Sequence, residues 1–408
     1  MRISTAQLYD RSIQAVLDNQ GDLSDIQQQL ASGKKLLRPS DDPVGAAQVI
    51  RLTEEIDLIS QYKININWVT NSLEQEETVL SNINTALNRA RVLMIQAGNG
   101  ILNVDDRAAI SSEVKQIRDQ VFDLMNSRNS AGEYIFAGYQ SASPAFGLNQ
   151  SATGNKYTYQ GDDGFNQIRV SDTVKLQVNN NGKEVFEDVL ARLKATLSSS
   201  VGATSASVKV SEQGNFDKFH KANYDAVTPL NNEFQATVLA GNQVQISNVG
   251  TGQILDTIDF ASGVPFSFRG LSFQFNGTVG ASVNFQLNTP EKQNIAETLN
   301  NFVLALNDRD ISETDYQNAL SDALVGTDNA MNKIGTATSA IGGRLNVAES
   351  VLNATLDLEI TNKSARSNIE DVDYAEAVSE LSRQETALEA AQATFARVTG
   401  TSLFDYIR

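Results

Sequence analysis

The chain has 408 residues, 41% of them hydrophobic and 20% charged, a composition that suits a soluble protein of two or three domains. Its formal net charge of −17 argues against nucleic acid or an anionic membrane as a partner, and no apolar run approaches the roughly 20 residues of a membrane-spanning helix. Because the chain has no cysteine and only one histidine, disulfides, thiolate chemistry and multi-histidine metal sites are excluded, and we expect no cofactor.

An apolar seam runs along the first thirty residues. Every seventh residue from Tyr9 to Leu30 is apolar, which is the spacing of a coiled coil, although Gln20 and Gln27 interrupt the stripe. A helix with so narrow an apolar stripe is unstable alone in water, so we expect a partner helix. The predicted N-terminal seam consists of Tyr9, Ile13, Val16, Leu23, Ile26 and Leu30.

A short basic linker follows the N-terminal seam. Lys34, Lys35 and Arg38 form a positive patch in an acidic protein, for which a solvated loop is the simplest interpretation. The neighbouring side chains of Asp41 and Asp42 diverge and have no evident third ligand, so helix capping is favoured over cation binding.

Two helices are predicted after the linker. Asp42 before Pro43 is typical of an N-cap followed by the first residue of a helix, and the glycines on either side of Asn99 end that helix. The spacing of Trp68 within it predicts a core position. Asn103 then caps a second helix.

The periodicity changes to that of strands between Tyr139 and Asn288. Alternating apolar residues in Phe234–Ile246 and Phe266–Phe275 predict strands, separated by runs of glycine, asparagine and serine. One helix over about Phe186–Leu197 is predicted to interrupt them, and the serine-rich stretch Ser198–Ser207 is interpreted as a flexible loop. This part of the chain is therefore a β-rich insertion.

Helical patterns return after Thr289-Pro290 and end in a second apolar seam. A long helix is predicted over about Asn329–Lys363, where the Gly342-Gly343 pair indicates close helix packing. The two terminal seams are expected to pack on each other, and an ordinary intramolecular core is the alternative interpretation of both. The predicted C-terminal seam consists of Leu381, Leu388, Ala391, Phe395, Val398, Leu403 and Phe404.

These elements predict an α+β fold, in which N- and C-terminal helices form a long helical rod with coiled-coil ends and carry an inserted β-rich domain. We expect residues 1–40 with 370–408 to form a terminal coiled-coil assembly region. Residues 41–138 with 289–369 would form the helical rod domain, and residues 139–288 the β-rich insert.

Two motifs at opposite ends of the chain resemble signatures of the flagellin superfamily. Ser32–Gly45 is a serine, glycine and basic stretch that leads to Asp-Asp-Pro, and Ile369–Ala377 is similar to the C-terminal signature of the same superfamily. The resemblance implies the rod-and-insert fold and a structural role in the bacterial flagellum. By resemblance, Arg89, Arg91, Leu93 and Gln96 belong to the helix that some innate immune receptors bind in flagellins.

Within the superfamily, three features resemble the proteins of the hook–filament junction. They are Gly132–Gly138, the pair of segments Tyr159–Asp162 and Gly182–Phe186, and the ending Thr401–Ile407. The resemblance implies a secreted protein that forms a ring of subunits and contacts hook-associated protein 1 and flagellin. It also implies terminal helices that order only on assembly, an uncleaved N-terminus as the type III export signal, and a cytoplasmic export chaperone covering the C-terminal seam.

The resemblance also implies a role for the basic linker. The linker would contact an acidic neighbour in the ring, an interpretation we prefer to the solvated loop. The candidate inter-subunit contacts are Lys34, Lys35, Arg38, Asp41 and Asp42.

Two other functions are kept as alternatives. Flagellin itself shares every terminal feature except the last residues and the Gly138 exit from the rod. A secreted adhesin or carbohydrate-binding protein would act through the β-rich insert, but its phenylalanines are interpreted as core. An enzyme is not predicted, because His220 lies in no catalytic arrangement and is expected at the surface.

Overall fold

A computed structural model describes residues 5–99 and 103–400, which fall into two compact units. The first unit combines Ile168–Leu176 with the described residues up to Thr70 and from Leu345 onward. The second comprises Asn71–Gln167 and Gln177–Arg344. None of the helices in these residues has an apolar stretch long enough to span a bilayer.

Long helices occupy both ends of the chain, and strands occupy the middle, so the predicted α+β class is confirmed. The helices are α1 Thr5–Ser32, α2 Pro43–Ala97, α3 Val104–Met125, α4 Gln213–Asn223, α5 Ile295–Asn307, α6 Glu313–Glu370 and α7 Tyr374–Gly400. The strands are β1 Phe146–Leu148, β2 Tyr157–Tyr159, β3 Gln167–Arg169, β4 Lys175–Gln177, β5 Ala195–Val210, β6 Glu233–Leu239, β7 Gln243–Asn248, β8 Ile254–Asp259, β9 Phe266–Phe268 and β10 Leu271–Leu287.

The predicted helix caps on the N-terminal side are confirmed. The Asp42 Oδ1 atom accepts the N–H groups of Val44 at 3.1 Å and Gly45 at 3.0 Å, so that α2 begins at Pro43. Asn103 and Asp106 form a reciprocal capping box at the start of α3, with 2.8 Å from the Asp106 N–H to Asn103 Oδ1. On the C-terminal side, α5 begins at Ile295 with Asn294 as its N-cap, later than Thr289-Pro290 predicts.

The insert is built on a six-stranded antiparallel sheet in the order β5-β10-β6-β7-β8, with β9 also paired to β10. Its inward-facing residues and those of α4 form one core rich in phenylalanine. Because β10 pairs with three strands, it is the central element of this sheet. Fully or nearly fully buried rings come from Phe216, Phe219, Phe234, Phe260, Phe266, Phe268, Phe273, Phe275 and Phe285.

Two predictions inside the insert are wrong. The stretch Ser198–Ser207 is part of strand β5 and not a flexible loop, because it pairs with β10, with shifts of register along the way. No helix covers Phe186–Leu197; a single π-helical turn, Lys183–Glu187, is followed by β5 from Ala195. For Ser198–Ser207, pairing with a distant strand determines the structure more strongly than local composition does.

The predictions for two single residues and for one glycine pair are also wrong. Trp68 is 48% exposed on α2, although its spacing predicts a core position. His220 is only 1% exposed, and its Nε2 atom lies 2.8 Å from the Asn288 carbonyl oxygen. An added Cβ at Gly342 or Gly343 would meet no described atom within 4 Å, so this pair is not a site of close helix packing.

Candidate assembly interface

The two terminal helices pack against each other, as the seams predict. At one end of the pair the rings of Tyr9 and Phe395 are 5.3 Å apart, and at the other end Lys34 and Asp371 form an antiparallel bridge. Helices α1 and α7 are therefore antiparallel over nearly their full lengths. This contact gives each narrow stripe the partner helix that it needs.

One partner helix covers the seams only in part. In the N-terminal seam Ile26 is buried, while Tyr9 remains 44% exposed. Val398, Leu403 and Phe404 lie outside the described side chains. The half-buried seam residues are Ile13, Val16, Leu23, Leu30, Leu381, Leu388, Ala391 and Phe395. These side chains leave apolar surface that further helices could bury.

The linker is fastened to the end of α6 by backbone hydrogen bonds. The Lys35 N–H donates to the Glu370 carbonyl at 2.7 Å, and the Val372 N–H donates to the Gly33 carbonyl at 3.0 Å. Gly33 has φ +71°, and an added Cβ there would lie 3.1 Å from the Tyr374 hydroxyl. Glycine is required at this turn because both the backbone angle and the contact disfavour a side chain.

The five charged linker residues predicted as inter-subunit contacts have different surroundings. Lys34 forms an ion pair with Glu370. Asp41 accepts the Arg38 N–H at 2.9 Å, and the Asp42 carboxylate caps α2. The side chains of Lys35 and Arg38 are exposed and form no hydrogen bond or ion pair with any residue that the structure describes. Those two cations remain available for a partner.

In the helix that resembles a receptor-binding helix of flagellins, three of the four predicted side chains pair or pack within the second unit. Arg89 Nε lies 2.6 Å from Glu113 Oε1, and Arg91 Nε lies 2.7 Å from Asp328 Oδ1. Leu93 is only 2% exposed, whereas Gln96 is exposed. The four side chains therefore do not form one free surface, and receptor binding stays a prediction.

The junction-like motifs, which are far apart in sequence, meet around one tight turn. Gly138 has φ +70°, and its backbone lies against Asp162, whose Oδ1 atom accepts the Tyr139 N–H at 2.9 Å. The Gly182 N–H donates to the Phe136 carbonyl at 3.0 Å. The first two of the three junction-like features thus define the place where the chain leaves the helices for the insert, and the third, Thr401–Ile407, lies outside the described residues.

Sequence reasoning missed Glu370, which holds Lys34 and, through its carbonyl, Lys35. Its position inside the Ile369–Ala377 motif, with opposite charge to the linker, is the signal that could have identified it. Among the described residues, no group of three histidine, aspartate or glutamate side chains is placed to hold a metal ion. The site is a surface of packing and charge.

Two family models match this chain. The bacterial flagellin N-terminal helical region matches residues 3–141, and the bacterial flagellin C-terminal helical region matches residues 324–407. Together they cover more than half of the chain.

Individual relatives match over shorter stretches. Flagellar hook-associated protein 3 of Salmonella typhimurium is 33% identical over 189 residues, which are 46% of this chain and 58% of that protein. The Escherichia coli protein of the same name is 29% identical over 204 residues, 50% of this chain and 62% of that protein. The matches thus span about six tenths of the length of these curated relatives.

A solved structure has the same fold. Flagellar hook associated protein-3 from Legionella pneumophila superposes with a TM-score of 0.59 over 79% of this chain and 98% of that one, at 24% identity. The flagellin matches lie at both ends of the sequence, where the packed terminal helices and their linker are found. The chain belongs to the flagellin superfamily.

Proposed function

We propose that this chain is a secreted structural subunit of the bacterial flagellum, placed at the junction between hook and filament and needed for filament assembly and motility. The observation that carries the proposal is the α1–α7 pair, whose apolar seams are only half buried. The names of the hook-associated relatives support the junction, and so does the resemblance of the motifs that meet at Gly138. The role is structural and not catalytic.

Copies of the chain would assemble as a ring through the half-buried seams. Each additional helix that packs on the pair removes apolar surface from water, at about 25 cal/mol per Å². The free cations Lys35 and Arg38 would contact an acidic neighbour, and the exposed carboxylates of Asp22 and Asp25 on α1 offer one. Salt should weaken that contact because exposed charges are screened.

The other partners in this proposal are hook-associated protein 1 on the hook side, flagellin on the filament side, and a cytoplasmic export chaperone that covers the C-terminal seam before secretion. A chaperone in this position would keep apolar side chains from associating too early. Terminal helices that order fully only on assembly would serve the same purpose.

Truncation tests the assembly surface. A chain that ends at Glu380 loses the predicted C-terminal seam, and we expect it to lose self-assembly and chaperone binding while the second unit stays folded. Circular dichroism and sedimentation of the two chains measure fold and assembly separately. A truncated chain that still assembles overturns the proposal.

A bacterial strain that lacks the gene for this chain distinguishes a role at the junction from a role as filament subunit. We expect electron microscopy to show hooks without filaments, with flagellin monomers shed into the medium. A flagellin, the alternative that the two family models also permit, would instead polymerise into long filaments when seeded. Growth of such filaments from the purified chain alone would replace the junction proposal with that one.

A further inference from the structure

A buried carboxylate lies in the second unit where α2 meets the end of β4. Glu76 is only 1% exposed. Its two oxygens accept the same backbone N–H, that of Asn180, at 3.1 and 3.3 Å. A buried carboxylate has about four acceptor positions, so one N–H leaves most of them unfilled.

The nearest cation does not compensate for this. Arg344 of α6 faces Glu76, but the described residues show no ion pair within 4 Å between them. Its guanidinium instead donates to Asn180 Oδ1 at 2.6 Å and to the Gln177 carbonyl at 3.3 Å. The Asn180 Nδ2 atom is buried and has no acceptor among the described residues. When Glu76 is charged, its carboxylate therefore has a single hydrogen-bond donor among the described residues, and its burial is largely uncompensated.

We propose that Glu76 is a proton-binding site of the second unit, so that folding is coupled to the uptake of a proton. The carboxylate accepts a proton from solvent, an O–H bond forms on one oxygen, and the buried negative charge is removed. Glu76 of α2 and Arg344 of α6 both form hydrogen bonds with Asn180. Protonation of Glu76 would therefore make the attachment of residues 177–180 to these two helices depend on pH.

The electrostatics support this geometry. Burial raises the pKa of Glu76 from 4.5 to about 7, against the smaller opposing effects of the Arg344 charge and of both the backbone N–H and the side chain of Asn180. Between these two values the folded state holds a proton that the unfolded state releases. The contribution of Glu76 to stability is therefore fully present below pH 4.5 and is lost as the pH rises through about 7.

The Glu76→Gln variant of the full chain tests the proposal by urea unfolding at pH 5 and pH 8. In the wild type, the unfolding equilibrium constant of the second unit should rise on the order of 50-fold between these pH values because of Glu76. The glutamine is neutral at both, so this increase should vanish in the variant. The control Glu74→Gln, at an exposed position on the same helix, should keep it.

Comparison of each variant with the wild type also cancels the contribution of His220. Burial lowers the pKa of that histidine, so its effect on stability runs in the opposite direction, being lost as the pH falls. Equal pH dependence in the wild type and Glu76→Gln would overturn the proposal.

Infrared spectroscopy of the wild type gives a readout that does not depend on the variant's folding. A buried protonated carboxylic acid should give a carbonyl band at pH 6 that disappears by pH 8. Retention of the band in Glu74→Gln excludes that exposed carboxyl group, and absence of the band from Glu76→Gln assigns it to Glu76. If the folded wild type has no such band at pH 6, Glu76 is charged there and the proposal is wrong.

Discussion

The terminal helix pair and the sheet of the insert use apolar side chains in opposite ways. In the α1–α7 pair most seam residues are half-buried, and of the described N-terminal seam only Ile26 is buried. In the insert the phenylalanines of β9 and β10 are buried by the sheet and by α4. Two packed helices bury only the side chains along their line of contact. A sheet covered by a helix buries the side chains of the whole face between them.

The difference assigns the two regions different tasks. A core that is complete within the chain contributes to the stability of the monomer. A seam that is half covered contributes less to the stability of the monomer, as expected if the proposed assembly buries the rest. Substitutions of similar chemistry should therefore have different consequences in the two regions.

The largest effect is expected in the insert. Phe273 is fully buried, and its ring lies 5.3 Å from that of Phe266 and 5.0 Å from that of Phe285. Phe273→Ala should lower the free energy of unfolding by about 3–5 kcal/mol, because it removes the ring and leaves a cavity. Urea unfolding measures this, and the exposed Phe165, changed to alanine, is the matched control. A loss below 1 kcal/mol would contradict the description of this core as complete.

A smaller effect is expected at the exit from the helices to the insert. Gly138→Ala should cost about 2 kcal/mol or more, since φ is +70° and the new Cβ would lie 2.5 Å from the Asp162 carbonyl oxygen. Gly132 also has a positive φ, +84°, but a Cβ there would meet nothing within 4 Å. Gly132→Ala should therefore show the backbone cost alone, and thermal unfolding of both variants separates the two causes. Equal losses would mean that the contact with Asp162 is unimportant.

The sequence predicts the parts of this molecule that local rules control. Periodicity predicts both seams, and capping chemistry places the starts of α2 and α3. The strand in Ser198–Ser207 has no such local signal, because serine and alanine there acquire strand structure only by pairing with β10. Trp68 has the spacing of a core residue but is exposed. Spacing shows which face of a helix a residue occupies, and it does not show whether another element covers that face.

The candidate site is predictable to the same extent. The seams and the linker cations could be named from spacing and charge. The sequence could not show that Lys34 pairs with Glu370 while the Lys35 side chain has no partner among the described residues. This difference depends on how residues more than 300 positions apart meet. The burial of Glu76 could not be predicted from the sequence either, because a glutamate on a long helix is ordinarily exposed.

A seam substitution should separate assembly from stability. Leu388 is half-buried in the α1–α7 pair. Leu388→Ala should lower the free energy of unfolding of the monomer by about 1 kcal/mol, less than a core leucine would, and should abolish or strongly weaken self-assembly. Sedimentation measures the assembly, and Thr386→Ala, an exposed position of the same helix, is the control. Normal assembly of Leu388→Ala would remove this residue from the proposed interface.

The smallest effects on stability are expected at two adjacent lysines of the linker. Lys34→Ala removes an exposed ion pair with Glu370 and should cost at most about 1 kcal/mol, decreasing as salt is added. Lys35→Ala removes no side-chain contact that the structure describes, so monomer stability should not change. If Lys35 contacts a neighbouring subunit, self-assembly of that variant should be weaker than wild type at low salt and approach it at high salt. The two lysines carry the same charge one residue apart, so each variant is the control for the other. An equal loss of assembly in both variants would indicate general attraction to the basic linker. A loss confined to Lys35→Ala would identify the Lys35 side chain as the contact.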